Sequence, residues 1–224
     1  MKITAIIVAG GKGTRMGAQI NKVFLELCGK AVLEHTVEAF EENQNIDEII
    51  VVTGSNDIEK ATEILQNCSK LSAVVEGGEE RQNSVYNGIK AASGDILVIH
   101  DAARALISQK EINDVIEDCK KYGAAALGVP CKDTLKSANE NGFISGTIDR
   151  SVTYQIQTPQ VFKTDLIRKL HQCAENDALS VTDDCAIAEH YGAAVKITAG
   201  SYDNIKLTTP EDMAVGEMIL RRRK

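Results

Sequence analysis

The sequence predicts a doubly wound α/β fold with a mostly parallel sheet, and two observations support this prediction. Apolar runs rich in Ile and Val alternate with amphipathic stretches, which is the order expected of repeated β-α units. Runs such as EIIVVT and DILVIH are almost continuously apolar, as in parallel strands that helices cover on both faces. In such sheets ligands bind beyond the carboxyl ends of the strands, so the loops that follow the strands are expected to carry the chemistry.

The elements follow from these patterns in chain order. Strands are predicted near residues 2–9, 47–53, 71–76, 95–99, 123–129 and 194–198. Helices are predicted near residues 31–43, 56–67, 79–92, 109–122, 164–175, 181–191 and 210–223. The last helix has the clearest start, because Thr209 can cap it and Pro210 suits its first position. The alternating order makes the sheet Rossmann-like.

One segment interrupts the alternation within an otherwise single domain, 1–224. Residues 131–158 have weak helical periodicity and carry turn signals at residues 139–142 and 145–146. This pattern predicts a β-hairpin arm that protrudes from the sheet. Such an arm fits either contact with a partner subunit or an ordinary surface hairpin, and composition alone leaves both interpretations open.

Composition and charge exclude several classes of protein. The 224 residues are 43% hydrophobic and 25% charged, which is typical of a globular chain with a full core. The net charge of -7 argues against a general nucleic-acid or membrane-surface partner. The six cysteines are scattered and the first apolar run is too short for a membrane span, so we expect a cytoplasmic protein with reduced thiols.

The acidity is unevenly distributed. Residues 1–25 contain lysine and arginine but no acidic side chain, which indicates a local anion site around the stretch AGGKGTRMG. A Walker loop does not fit, because Gly11-Lys12 is followed by Gly13 rather than Ser or Thr. A dinucleotide loop fits poorly, because the glycines are spaced one residue too far apart and the second strand ends without a carboxylate. A nucleotidyltransferase loop fits best, with Arg15 and Lys22 placed to stabilise a crowded, negatively charged phosphate.

Further candidates lie after later strands. GGEERQNSV follows the third strand and opens a helix that offers backbone donors to an anion or a base, although a plain helix start is equally consistent. Asp101 follows the fourth strand, where a carboxylate can bind Mg²⁺ or simply occupy a turn. The neighbouring His100 is more typical of a structural histidine. Asp203 and Lys206 precede the last helix and could add a second carboxylate and another cation, which is what phosphoryl chemistry requires.

A family resemblance rests on an ordered set of motifs. These are AGGKGTRMG, NKVFLELCGK, GGEERQNSV, HDAAR, DTLK, DR, QTPQVF, TDD and DNIKLTTPED. In this order and spacing, the chain resembles the 2-C-methyl-D-erythritol 4-phosphate cytidylyltransferases from residue 3 to about residue 217. The resemblance implies a nucleotide-diphospho-sugar transferase-like fold and a reaction in which CTP and methylerythritol phosphate yield a CDP-alcohol and pyrophosphate.

The resemblance also implies a role for each matching residue. The implied catalytic residues are Arg15, Lys22, Asp101, Asp203 and Lys206. Asp101 and Asp203 would bind the metal, Mg²⁺ or another divalent ion. The implied CTP-binding residues are Ala9, Gly10, Gly11, Gly13, Gly78, Glu79, Arg81, Ser84 and Ala102. The implied sugar-phosphate residues are Arg104, Thr134, Lys136, Arg150 and Thr158.

Family members are homodimers in which the arm crosses to the neighbour, so the resemblance implies that Thr134, Lys136 and Arg150 reach the partner's site. Ribitol-5-phosphate cytidylyltransferases are the nearest alternative, but they tend to read HDAVR and lack a lysine at the position of Lys136. A binding protein without catalysis, or a guanylyl- or uridylyltransferase, would also fit the first loop. The family usually has proline where this chain has Asn21, so we expect a more mobile lysine loop here.

Overall fold

A computed structural model describes residues 1–10 and 21–223 of the chain. Its strands are β1 (Ile3–Val8), β2 (Glu26–Leu27), β3 (Lys30–Ala31), β4 (Glu48–Thr53), β5 (Leu71–Glu76), β6 (Ile96–Asp101), β7 (Ala124–Pro130), β8 (Lys136–Ala138), β9 (Ile144–Thr147), β10 (Tyr154–Lys163) and β11 (Lys196–Ala199). Its helices are α1 (Val32–Glu41), α2 (Ile58–Ile64), α3 (Arg81–Ala91), α4 (Gln109–Tyr122), α5 (Thr164–Asn176), α6 (Asp184–His190) and α7 (Pro210–Arg223).

The central sheet has seven strands in the order β11-β7-β10-β6-β1-β4-β5. Neighbouring strands are parallel except at β10, which runs antiparallel to both β6 and β7. The predicted doubly wound, mostly parallel α/β fold is therefore confirmed. Two small hairpins, β2–β3 and β8–β9, stand outside this sheet.

Strand β10 was not predicted, and it corrects the boundary of the arm. The hairpin of residues 131–158 consists of β8 and β9, whereas the segment from Tyr154 onward belongs to the central sheet. The sequence pattern misled because Pro159 interrupts the strand, and proline normally argues against a central strand. Here it lies where the pairing register of β10 with β7 shifts, between Ile156 and Gln160.

The two predicted turn signals of the arm had different outcomes. Residues 139–142 form the hairpin tip, where the Gly142 N–H donates to the Asn139 carbonyl at 2.9 Å and Gly142 has a φ of +82°. Residues 145–146, predicted as a turn, lie within β9 instead. The pairing of β8 with β9 continues through these residues, with a register shift between Ser137 and Ala138.

Strand β1 shows how the sequence divides the core. Ala5 and Ile7 pack in one cluster with side chains of α1 and α4, whereas Ile6 and Val8 pack in a second cluster with side chains of α3 and α5. Successive residues of a strand face opposite sides of the sheet, so a strand covered on both faces must be apolar throughout. Each large side chain that becomes fully buried contributes about 1.5–3 kcal/mol, which fixes the loops at the strand ends.

The helix ends follow the capping signals in the sequence. Thr209, the predicted cap of α7, accepts a hydrogen bond from the Asp212 N–H at 3.3 Å. Helix α4 begins with a capping box between Ser108 and Glu111 and ends at Gly123, whose φ is +91°. Within residues 1–10 and 21–223, no helix combines the length and the apolar composition that crossing a membrane requires.

Candidate active site

The site lies at the carboxyl ends of β1, β4, β5 and β6, where backbone hydrogen bonds bring the following loops together. The Ala9 N–H donates to the Val52 carbonyl at 2.7 Å, and the Ala102 N–H donates to the Val8 carbonyl at 2.9 Å. Gly77 N–H in turn donates to the Thr53 carbonyl at 2.7 Å. Two predicted CTP-binding residues, Ala9 and Ala102, therefore share one edge of the sheet.

The loop before α3 is built around Ser84, which is only 3% exposed. Its hydroxyl accepts a hydrogen bond from the Gly78 N–H at 3.1 Å and donates to the Glu80 carbonyl at 3.0 Å. A Cβ at Gly78 would lie 2.3 Å from the Cβ of Asn83, so the close turn requires glycine there. A Cβ at Gly10 would lie 3.7 Å from the Ser84 hydroxyl, which places Gly10 beside this turn. Glu79 is exposed at the same turn.

Asp101 is the last residue of β6 and is 8% exposed. Its Oδ1 accepts from Nε of Arg81 at 3.1 Å, and its Oδ2 accepts from Nζ of Lys206 at 2.6 Å. Burial acts to raise the pKa of Asp101, but the charges of Arg81 and Lys206 outweigh burial and hold the pKa well below its usual range. The carboxylate is therefore ionised at neutral pH.

His100 and Thr158 form hydrogen bonds that fix the backbone of Asp101. The Asp101 N–H donates to the Thr158 hydroxyl at 3.1 Å, and that oxygen lies 3.0 Å from Nδ1 of His100. The Arg104 carbonyl, 3.1 Å from Nε2 of His100, can only accept, so Nε2 carries the proton and Nδ1 accepts from Thr158. Burial lowers the pKa of His100 to about 4, so the ring is neutral and structural, as the sequence suggested.

Arg104 is tied to the loop that carries Lys206. Its NH1 donates to the Asn204 carbonyl at 2.7 Å, and the Asn204 amide donates to the Thr158 carbonyl at 3.0 Å. Burial lowers the pKa of Arg104. Among the described residues, Nε of Arg104 and Oδ1 of Asn204 are buried without a hydrogen-bond partner. The predicted sugar-phosphate residues Arg104 and Thr158 therefore lie beside Asp101.

Asp203 does not join this cluster. Its Oδ2 pairs with Arg222 at 2.5 Å and lies 3.7 Å from Arg223 of the last helix. The arginines that pair with Asp203 are thus different from the two cations, Arg81 and Lys206, that hold Asp101. Within residues 1–10 and 21–223, no group of three or more His, Cys, Asp or Glu side chains is placed to bind a metal ion. Asp101 offers carboxylate oxygens of the kind that Mg²⁺ takes, and proteins often bind this ion through one or two carboxylates together with substrate phosphates.

The remaining predicted residues fall in two places. Arg15, Gly11 and Gly13 lie outside the described residues. The arm residues are exposed and make local contacts, since Lys136 donates to the Thr147 hydroxyl at 2.6 Å and Arg150 donates to the Lys132 carbonyl at 3.1 Å. Thr134 is also exposed. None of these described contacts joins the arm to Asp101.

Lys22 begins a 3-10 turn that Asn21 fixes in place. The Asn21 amide donates to the Ala9 carbonyl at 2.8 Å and to Oδ2 of Asp57 at 3.1 Å. Asn21 has a φ of −59°, close to the value that a proline would impose. A proline here would have restrained the backbone. In its absence, the side-chain hydrogen bonds of Asn21 supply part of that restraint.

Sequence reasoning missed the residues behind Arg81. NH1 of Arg81 donates to Oδ2 of Asp184 at 2.9 Å, and Oδ1 of Asp184 accepts from Nε2 of His171 at 2.9 Å. Gln160 of β10 accepts from the Asp184 N–H at 3.0 Å. The motifs TDD and QTPQVF contain Asp184 and Gln160, but neither motif indicates that its side chains are buried against an arginine.

An ionised aspartate set between cations at the carboxyl edge of a doubly wound sheet, beside glycine-bearing turns, is the arrangement of a nucleotidyltransferase. The family model IspD, described as 2-C-methyl-D-erythritol 4-phosphate cytidylyltransferase, matches residues 3–222. The chain belongs to this family, which confirms the resemblance found in the motifs, and ribitol 5-phosphate is not the favoured substrate.

Individual relatives agree with the family assignment. The 2-C-methyl-D-erythritol 4-phosphate cytidylyltransferase of Caldanaerobacter subterraneus subsp. tengcongensis is 46% identical and aligns over 99% of this chain and 100% of its own. The Desulforamulus reducens enzyme of the same name is 42% identical, over 99% and 97%. The crystal structure of 4-diphosphocytidyl-2C-methyl-D-erythritol synthase from Anaerococcus prevotii has a TM-score of 0.88 and 31% identity, covering 99% of this chain and 96% of that one.

Proposed function

We propose that the chain transfers the cytidylyl group of CTP to 2-C-methyl-D-erythritol 4-phosphate at the carboxyl edge of the sheet. A phosphate oxygen of the sugar phosphate forms a bond to the α-phosphorus of CTP, and the bond from that phosphorus to the β-phosphate oxygen breaks, which releases pyrophosphate. Membership of the family supports the reaction. The observation that supports its location is the ionised Asp101 held between Arg81 and Lys206.

The proposed roles follow from charge and position. The attacking group is already an anion, so the reaction needs positioning and charge stabilisation more than a general base. Arg15 and Lys22 are proposed to stabilise the α-phosphate in the transition state. Gly78 and Ser84 line a turn suited to the nucleoside, and Arg81 joins that turn to Asp101.

We also propose a dependence on Mg²⁺, with Asp101 as its protein ligand and phosphate oxygens of CTP as further ligands. The chemistry that the ion supplies when bound is neutralisation of triphosphate charge. Asp101 is suited to this role because it stays ionised, and the side chain of Lys206, which contacts its Oδ2, is 40% exposed. Asp203, whose Oδ2 pairs with Arg222, is the second ligand that the family resemblance implies.

The arm supports a proposed homodimer. Phe143, Ile144 and Val152 are 71%, 69% and 75% exposed, and exposed large apolar side chains on one segment favour an interaction surface. In the dimer, Thr134, Lys136 and Arg150 are proposed to bind the sugar phosphate in the partner's site. The six free cysteines are consistent with the proposed cytoplasmic location.

Pyrophosphate release tests the proposal directly. Purified protein with CTP and Mg²⁺ is supplied with methylerythritol phosphate or with ribitol 5-phosphate, each with and without EDTA. We expect release only with methylerythritol phosphate and only without EDTA. Release with ribitol 5-phosphate but not with methylerythritol phosphate would contradict the proposed substrate. Full activity in EDTA would contradict the proposed dependence on a metal ion.

A further inference from the structure

Arg81 is held between two buried carboxylates. The first is Asp101, which belongs to the candidate active site. The second is Asp184, which is 1% exposed and is the first residue of α6. Nε of Arg81 is 3.1 Å from Asp101, and its NH1 is 2.9 Å from Asp184. The direction of the guanidinium therefore depends on where Asp184 is fixed.

His171 fixes the carboxylate of Asp184. It is 1% exposed on α5, and its Nε2 lies 2.9 Å from Oδ1 of Asp184. A carboxylate only accepts, so Nε2 carries the proton and donates. With Oδ1 taken by His171 and Oδ2 taken by Arg81, the carboxylate cannot rotate without losing a charge-assisted hydrogen bond.

Packing also ties His171 to the helix that carries Arg81. The imidazole stacks on the ring of Tyr86, with ring centroids 5.5 Å apart and an interplanar angle of 14°. Tyr86 lies on α3, which begins at Arg81. The imidazole therefore contacts α3 through its face and α6 through its Nε2 proton, so it sets the spacing between the two residues that form the ion pair.

We propose that His171 is a positioning residue for the nucleotide, acting through Asp184 to aim Arg81. The inference rests on the proposed contact of Arg81 with CTP. His171 itself touches no substrate. Loss of its donor leaves Asp184 free to turn, so Arg81 loses one of its two anchors and binds CTP less well.

The test compares three substitutions by steady-state kinetics and by equilibrium binding of CTP. His171→Leu removes the donor and is expected to raise the KM and the Kd for CTP about tenfold, the loss expected for one hydrogen bond to a charged group. His171→Gln can donate from a similar position and is expected to stay within about threefold of the wild type. The KM for methylerythritol phosphate is expected to be unchanged in both.

Two controls separate positioning from general loss of structure. Leu170→Ala removes a buried apolar side chain on α5 and leaves the hydrogen bonds of Asp184 to His171 and Arg81 in place, so it should lower the Tm but leave the KM for CTP unchanged. Asp184→Asn should raise the KM for CTP like His171→Leu, and the double variant should be no worse than the weaker-binding single variant.

The possible outcomes each decide the proposal. A CTP KM within twofold of the wild type in His171→Leu, an equal rise in Leu170→Ala, or effects that multiply in the double variant would overturn it. If His171→Leu does not fold, the KM for CTP is compared between His171→Gln and His171→Asn. The shorter Asn amide cannot reach the position of Nε2, so only His171→Asn should raise this KM. An inactive wild type that still binds CTP would instead refute the proposed reaction and leave the CTP Kd as the readout.

Discussion

The two ends of the central sheet each bury a carboxylate, and they treat it differently. At the amino end, Glu48 accepts from the hydroxyl of Thr4 at 2.5 Å, from the hydroxyl and N–H of Ser93 at 2.8 and 3.1 Å, and from Lys2 at 3.2 Å. At the carboxyl end, Asp101 is held by Arg81 and Lys206. Two short neutral side chains and Lys2 hold the first carboxylate, whereas the two side chains that hold the second are both long and cationic.

The two ends also differ in how many buried polar atoms of the described residues lack a hydrogen-bond partner. Buried polar atoms without a partner among the described residues include Thr53 Oγ1, Arg81 NH2, Arg104 Nε and Asn204 Oδ1, which lie on the segments around the carboxyl end. The polar atoms around Glu48 are not among them. A buried polar atom without a partner is costly unless a ligand satisfies it. The carboxyl end therefore has buried polar atoms that a bound ligand could satisfy, whereas the polar atoms around Glu48 are already satisfied within the protein.

The largest effect is expected from Asp101→Asn. Removing the charge should lower kcat/KM about 10³-fold, because charge positioning dominates phosphoryl transfer. The free energy of unfolding should fall by no more than about 2 kcal/mol, since Arg81 keeps Asp184. Asp95→Asn, at the amino end of β6, is the matched control and should retain activity. A loss of less than tenfold in Asp101→Asn would break the comparison.

Lys22→Ala should lower kcat about 10²-fold and change the KM for CTP less than threefold, because its charge is proposed to act on the transition state. Steady-state kinetics measure both values. Lys30→Ala is the control, because that exposed lysine pairs with Glu38 on the surface. A loss confined to CTP binding would contradict the assigned role.

The arm can be tested by complementation. Lys136→Ala should raise the KM for methylerythritol phosphate about tenfold, in line with the loss of one charged contact. If the arm serves the partner's site, mixing Lys136→Ala with Asp101→Asn chains under exchange restores one intact site in each mixed dimer. At equal amounts, roughly a quarter of wild-type sites should recover. Measured at subsaturating sugar phosphate, the absence of any gain over the separate variants would place the arm in its own chain's site.

The smallest effect on activity is expected from Glu48→Gln, which should instead lower the free energy of unfolding by about 1–3 kcal/mol. Burial acts to raise the pKa of Glu48, but the hydrogen bonds of Thr4 and Ser93 lower it to about 2. A lowered folded-state pKa stabilises the fold above the unfolded value of 4.5, and this contribution is lost as the pH falls towards 2.

Thermal melts of wild type and Glu48→Gln between pH 7 and pH 3 measure this contribution. The difference in Tm between the two proteins should shrink as the pH falls. A difference that stays constant with pH would show that the charge of Glu48 is not what stabilises the amino end. Unchanged kcat/KM at pH 7 completes the contrast with Asp101.

Most of the fold was predictable because it depends on local patterns. The six predicted strands and seven helices all exist near their predicted positions, since apolar runs and caps determine them. Strand β10 was missed because Pro159 interrupts its pattern.

The site was predictable where a residue follows a strand and unpredictable where it acts through another residue. Asp101, Arg81 and Lys206 meet because strand ends converge at one edge of the sheet. Asp203 turns instead to Arg222, and no local signal indicates that a helix end would reach it. His171 lies mid-helix, where a histidine alone says nothing about its partner.

The exposed hairpin β8–β9 has an evolutionary consequence. Its strands are exposed almost throughout, and its side chains bond mainly within the arm, so most substitutions there change folding stability by less than about 0.5 kcal/mol. If the arm binds the sugar phosphate as proposed, descendants of this chain can change that contact by mutating the arm without disturbing the cluster around Asp101.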